Sequence, residues 1–217
     1  MPKSNFCIVL PTLNEEKGIA QMIKEVRRYF NGEIIVADDG SVDSTLKHAK
    51  TQDVTILDRK NAAIQGLIAS VIDSANLTKA KYVIVMDSDF QHPASEIPKI
   101  INKMKNNDLV ICYRSSLTGL SFLRAIVSLL ASGLAYARLG KKFQDPLSGY
   151  FCVKRGLLQK LATQTKEKRG FKVLFELLKN NPNCKIAYHE YDFALRKYGV
   201  SKLNLRQIGY FLKAIFS

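Results

Sequence analysis

The stretch YVIVMDSDFQHP, residues 82–93, runs five apolar or aromatic side chains straight into two acids, an amide, an imidazole and a proline. A near-continuous hydrophobic run of this length suits a strand buried on both faces of a parallel sheet. Four further runs share its character: FCIVLP (6–11), EIIVAD (33–38), VTILD (54–58) and DLVICY (108–113). Helical patterns lie between them. In residues 16–30, Ile19, Met22, Ile23, Val26 and Phe30 share one face, with Asn14 the expected N-cap. Residues 62–75 and 94–105 read the same way, the second entered through Pro93. This alternation predicts an α/β fold, a doubly wound and mostly parallel sheet with helices on both faces.

Beyond residue 113 the rhythm changes. An apolar helix over about 119–139 leads to the turn-rich QDPLSGY, then a short strand, two helical stretches and an extended KIAYHEYDFAL. The end reads as a helix with Leu205, Ile208, Leu212 and Ile215 on one stripe. No repeat, low-complexity tract or linker divides the 217 residues, so one domain is expected over 1–217.

The chain carries 33 Lys+Arg against 19 Asp+Glu, a net charge of +14, which favours anionic partners such as phosphorylated substrates or membrane surfaces. No nucleic-acid-binding motif accompanies it. Cys7, Cys112, Cys152 and Cys184 are widely spaced without a CxxC pair, which argues against a zinc site or disulfide framework and for a reducing compartment. The apolar run at the N-terminus is too short for a signal peptide. The longest one, AIVSLLASGLAYA (125–137), is too short to span a bilayer but long enough for a buried or interfacial helix.

In open α/β sheets, ligands sit at the carboxyl ends of strands. Those ends read PTLNEE, ADDGSVDST, MDSDFQHP and YRSS; three are acidic in a strongly basic protein. If the DSDFQ loop stays extended, Asp87, Asp89 and Gln91 point to one side and offer oxygen ligands suited to Mg²⁺ or Mn²⁺. The same residues also suit a plain turn, with Asp87 capping the strand and Asp89 in an Asx-turn before Pro93. His92 reads as a turn residue. In DDGSVDST, Gly40 reads as a turn and Ser41 or Asp43 as a helix cap. Asp38 and Asp39 then stand as adjacent carboxylates that a donor-rich ligand, such as a nucleobase edge or ribose, would neutralise.

Together PTLNEE (11–16), ADDGSVDST (37–45), MDSDFQHP (86–93), DPLSGYF (145–151) and RKYGVSK (196–202) resemble the family 2 glycosyltransferases of the Rossmann-like GT-A fold. Within that family they are most similar to the dolichyl-phosphate mannose synthases, from about Cys7 to Leu203. The resemblance implies a nucleotide-binding half (1–113) and an acceptor- and membrane-facing part (114–217) with C-terminal interfacial helices. It implies inverting transfer of mannose from GDP-mannose to dolichyl or another polyprenyl phosphate. UDP-glucose is the alternative donor, and a catalytically silent nucleotide- or lipid-binding module the alternative of another class.

By the same resemblance Pro11, Leu13, Glu15, Ala37 and Asp39 would line the nucleotide site. Asp87, Ser88 and Asp89 would hold the diphosphate and metal, with Asp89 and Gln91 the direct ligands. Arg114, Arg196 and Lys202 would meet the donor sugar and phosphates, and Arg124 with Ser128 the acceptor phosphate. Asp89 and Asp145 are the carboxylates to test as a base. The sequence departs from the family at Leu13, where an aromatic residue is usual, at Ser88, where alanine is usual, and in RKNAAIQG (59–66), which lacks a glycine-rich turn. The expected setting is peripheral, on the cytoplasmic face of a membrane. The chain stops without the transmembrane helices that some members carry, which leaves room for a membrane-embedded partner subunit.

Overall fold

The computed structural model describes residues 4–115, 122–140, 143–194, 197, 198, 209, 210, 213 and 215, and side chains within helix 122–139 only from residue 131. The five expected strands form as β1 (Phe6–Thr12), β2 (Glu33–Asp38), β3 (Thr55–Asp58), β4 (Tyr82–Val85) and β5 (Leu109–Arg114). Two more follow, β6 (Phe151–Lys154) and β7 (Ile186–Tyr191), and the seven lie in the order β3-β2-β1-β4-β6-β5-β7. Only β6 runs against its neighbours, inserted between β4 and β5. Every other pair in the sheet is parallel.

The two-residue period of a strand divides the core between two layers. On one face Cys7, Val9, Ile35, Val83, Val85 and Phe151 pack against α3 (Leu67–Leu77), α6 (Arg155–Gln164) and α7 (Val173–Asn180). On the other, Ile8, Leu10, Ile34, Val36, Ile84 and Tyr150 meet α1 (Ile19–Arg27) and α4 (Ile97–Lys103). A short α2 (Thr45–Lys50) follows β2, and α5 (Phe122–Leu139) precedes β6. Ile215, from the expected tail stripe, is buried with Ala135, Leu147 and Phe175. All four cysteines are free thiols. Among the described residues no helix is long and apolar enough to cross a membrane.

Helix starts were the least legible part. Asn14 is not the N-cap of α1; Gly18 occupies that position. Asn14 instead takes a left-handed backbone (φ 53°), donates its N–H to Ser41 Oγ (2.8 Å) and accepts the Val42 N–H on Oδ1 (2.9 Å). It therefore laces the loop after β1 to the loop after β2. The helix expected over 62–75 begins only at Leu67, after Gly66, whose φ of 135° lies outside the helical region. The segment 94–105 is a composite, with 3₁₀ turns at Ala94–Glu96 and Met104–Asn106 flanking α4.

Candidate active site

Six parallel strands end on one edge, and the described residues beyond them carry the candidate site. Pro11, at the end of β1, accepts a hydrogen bond from Ser88 Oγ on its carbonyl (3.4 Å). Leu13 is partly buried and Glu15 buried, with the Glu15 N–H donated to Thr45 Oγ1 (2.7 Å). Ala37 is fully buried in β2.

The adjacent carboxylates do not wait for a ligand. Asp38 is buried and accepts the N–H groups of Gly40 (3.1 Å) and Ser41 (2.8 Å), the Ser41 hydroxyl and the Thr12 hydroxyl. Asp39 turns the other way, onto the guanidinium of Arg59, the Gly66 N–H (2.6 Å) and the Ser70 hydroxyl (3.3 Å). Burial pushes the Asp39 carboxyl above the usual range, with Arg59 the chief counterweight. The expectation that an external ligand must neutralise the pair is thus corrected: neighbouring donors in the chain do so. Neither Ser41 nor Asp43 is the N-cap of α2; Ser44 occupies that position, and Asp43 just before it accepts the Thr45 N–H on Oδ1 (3.0 Å).

The loop after β4 is folded rather than extended. Phe90 adopts φ 68°, and Asp89 Oδ1 accepts the Gln91 N–H (3.0 Å) in an Asx-turn. Asp89 is buried, and Ser88 with it. His92 closes the turn: its Nδ1 accepts the Asp87 N–H (2.9 Å), so the neutral ring carries its proton on Nε2, which lies 3.7 Å from Asp87 Oδ2. The ring is stacked on Tyr150 (5.0 Å) and edged by Tyr191 and Phe193. A second segment lies over this loop. The N–H groups of Ala194 and Lys197 bond to the carbonyls of Gln91 (3.2 Å) and Asp89 (3.3 Å), and the Lys197 ammonium sits near the rings of Phe90 and Tyr198.

Across the cleft, Arg114 at the end of β5 faces Asp145 (Nε to Oδ2, 3.4 Å) and lies over the Phe193 ring (5.2 Å). Asp145 opens the DPLSGY loop, which Ser148 fixes by donating to the Cys112 carbonyl (2.6 Å). Lys172, just before α7, donates to the Leu147 carbonyl (3.1 Å). Burial lowers its pKa to about 8, against the opposing pull of Asp145 and Asp87.

Arg124 and Ser128 lie on α5, but their side chains are outside the described residues, as are Arg196 and Lys202 altogether. Sequence reading missed Lys172, Arg59 and Gly149. Arg59 follows β3 directly, so asking what stands at the end of every strand would have found it. Lys172 closes a basic stretch with Lys166, Lys168 and Arg169, and nothing in the sequence singles it out from them. Gly149 is legible only in three dimensions: a Cβ there would lie 3.2 Å from His92 Cε1 and 3.3 Å from Asp87 Oδ2. Gly149→Ala is therefore expected to displace Asp87 by a few tenths of an ångström and cut turnover roughly tenfold. The thermal midpoint should barely move; unchanged turnover would refute this.

No group of three or more His, Cys, Asp or Glu side chains converges as a closed metal cage among the described residues. The donor set still fits a hard divalent cation of the open kind, in which one or two carboxylates share the ion with water and substrate phosphate. Asp89 and Gln91 supply oxygen donors from one tight turn, and Asp87, 43% exposed at its side chain, is reachable beside them.

The model of the family described as "Glycosyl transferase family 2" matches residues 7–162. The dolichol-phosphate mannosyltransferase of Pyrococcus furiosus is 27% identical over 224 residues, covering 96% of this chain and 62% of that protein. The protein of the same name from Saccharomyces cerevisiae is 25% identical over 235 residues, covering 97% and 85%. The chain thus spans about three fifths of the archaeal relative's length. Among solved structures, glucosyl-3-phosphoglycerate synthase from Mycobacterium tuberculosis, in complex with Mn²⁺, UDP and glucosyl-3-phosphoglycerate, superposes with TM-score 0.73 at 23% identity. That match covers 99% of this chain and 78% of the other.

Proposed function

Because this chain belongs to glycosyl transferase family 2, we propose that it transfers mannose from GDP-mannose to dolichyl or another polyprenyl phosphate. The observation that carries the reading is the division of one sheet edge. An acidic turn (Asp87, Asp89, Gln91) stands on β4 and a cationic arm (Arg114) on β5, in a chain similar over nearly its whole length to two dolichol-phosphate mannosyltransferases.

In this mechanism an acceptor phosphate oxygen forms a bond to the anomeric carbon of the sugar as the bond from that carbon to the diphosphate breaks. The configuration inverts and a nucleoside diphosphate leaves. A phosphate monoester has its second pKa near 6, so the acceptor arrives largely dianionic and needs orientation more than deprotonation. Asp87, Asp89 and Gln91 would hold Mg²⁺ or Mn²⁺, which when bound supplies positive charge to the departing diphosphate. Arg114, tethered by Asp145 and steadied over Phe193, is placed to meet phosphate or sugar oxygens without large reorganisation. Arg196, Lys202, Arg124 and Ser128 are proposed to complete the phosphate contacts. Work on a lipid acceptor would bring the protein to a membrane surface, proposed to be the cytoplasmic face, where its net charge of +14 would favour anionic headgroups.

A second reading changes only the donor. The solved structures of similar fold include complexes with Mn²⁺ and UDP-glucose, which favours a UDP-glucose-dependent variant of the same transfer. Radiolabelled GDP-mannose and UDP-glucose, each offered with a short polyprenyl phosphate, decide between them. Transfer should require Mn²⁺ or Mg²⁺, vanish in EDTA and return when the cation is restored. Turnover unchanged by EDTA would overturn the metal role, and no transfer from any nucleotide sugar would leave a silent binding module.

A further inference from the structure

Lys172 stands at the entry to α7, and the mechanism above gives it no work. Its ammonium lies 4.8 Å from the centre of the Phe171 ring and donates to the Leu147 carbonyl (3.1 Å). The residue is partly buried, and that burial pulls its pKa down to about 8, so holding a charge here costs free energy. A neutral donor such as glutamine would serve the Leu147 carbonyl at a smaller desolvation cost. Among the described residues no carboxylate lies within salt-bridge distance of the ammonium. The one acid of α7, Glu176, stands a turn further on but is engaged by Lys179 (3.2 Å) and Thr165 (3.2 Å).

The charges that Lys172 does feel come from the cleft. Asp145 favours its ammonium most, Arg114 opposes it, and Asp87 favours it from the acidic arm. Asp145 is already shared with Arg114 (3.4 Å). Two cations against one carboxylate leave a positive charge on this side of the cleft. Lys172 also belongs to the side on which α5 packs. Its neighbours Phe171 and Phe175 join Leu147 of the DPLSGY loop and Ala135 of α5 in one apolar cluster. Helix α5 is the one proposed above to carry acceptor contacts. A dianionic phosphate bound there would supply the partner that the described residues do not.

We propose that Lys172 is a further catalytic residue, whose ammonium donates to a non-attacking oxygen of the acceptor's phosphate monoester. Another oxygen of that phosphate forms the bond to the anomeric carbon while the bond from that carbon to the diphosphate breaks. Lys172 keeps its three protons throughout. It orients the acceptor and offsets the repulsion between two anions brought together for reaction. The bond to the Leu147 carbonyl fixes the ammonium beside the loop that Asp145 opens, so the charge is in place before the acceptor arrives. The inference rests on the transfer to a phosphate acceptor proposed above and deepens it by adding a residue to the acceptor's site. An ammonium can equally serve the donor's diphosphate, and the test separates the two.

The test compares Lys172→Gln and Lys172→Arg with the wild-type chain, using the nucleotide sugar that the wild type accepts, Mn²⁺ and a short polyprenyl phosphate. Glutamine can still donate to the Leu147 carbonyl and removes the charge. Lys172→Gln should lower kcat/KM for the acceptor roughly 30-fold, the scale of one hydrogen bond to a charged group. Calorimetric affinity for the matching nucleoside diphosphate in Mn²⁺ should stay within about threefold of wild type, less than the loss of one such bond. Lys172→Arg restores the charge and should return kcat/KM to within about fivefold of wild type. Equal loss of acceptor efficiency and diphosphate affinity would mean a donor-side or structural role and overturn the proposal. So would an arginine variant no better than the glutamine one, or a glutamine variant as active as wild type. A wild type that transfers from no nucleotide sugar would instead sink the transfer reading itself.

Discussion

Asp89→Asn is expected to lower the rate of sugar transfer by roughly 10²- to 10³-fold, the scale for losing one preorganised charge-stabilising group, while leaving the protein folded. Asp89 is buried, and its Oδ1 accepts the Gln91 N–H in the turn that Phe90 completes with its left-handed backbone. Asparagine retains that acceptor and the side-chain shape, so the turn survives. The lost element is a negative charge where a divalent cation and a diphosphate are proposed to meet. Single-turnover transfer with saturating cation measures the effect, and thermal unfolding checks the fold. A variant with near-normal turnover would remove Asp89 from the proposed site. One that binds Mn²⁺ as the wild type does would remove it from the metal set.

Gly66→Ala should produce the largest loss of stability. Gly66 has φ 135°, a region that side chains with a Cβ seldom occupy. A Cβ there would also lie 2.6 Å from the Arg169 carbonyl oxygen and 2.7 Å from its Cα. Backbone cannot swing aside as a flexible side chain can, because the first-turn N–H groups of α3 bond to this same segment. Ile68 donates to the Gly170 carbonyl (3.1 Å) and Ala69 to that of Lys168 (3.2 Å). Strain and overpacking together should cost about 3 kcal/mol or more. The thermal midpoint should fall by roughly 6–12 °C for a chain of this size. A change under 2 °C, roughly half a kcal/mol on that scale, would show that segment 165–170 yields easily.

Much of the fold could be read from residues because its strands carry uninterrupted apolar runs, and such runs have few places to go but a doubly covered sheet. The strand-end loops also announced themselves by an acidity that opposes the net charge. Less legible was anything set by one side chain reaching another across the chain. Asn14 has the chemistry of an N-cap, and only the position of Ser41 and Val42 shows that it joins two loops instead. Asp38 and Asp39 look like an unsatisfied pair in sequence because Thr12, Arg59, Gly66 and Ser70 lie between 20 and 31 residues away. The antiparallel direction of β6 had no signal either: a four-residue apolar strand reads the same in both directions.

That reversed strand fixes the gauge of the cleft. Because β6 lies between β4 and β5, its entry loop rises where theirs leave, and the arms bearing Asp87 and Arg114 stand two strand spacings apart, about 10 Å. Backbone hydrogen bonds on both sides hold that interval. The spacing of the two arms is thus set by the backbone of three strands, and only rotation of the Asp87 and Arg114 side chains is left to adjust it.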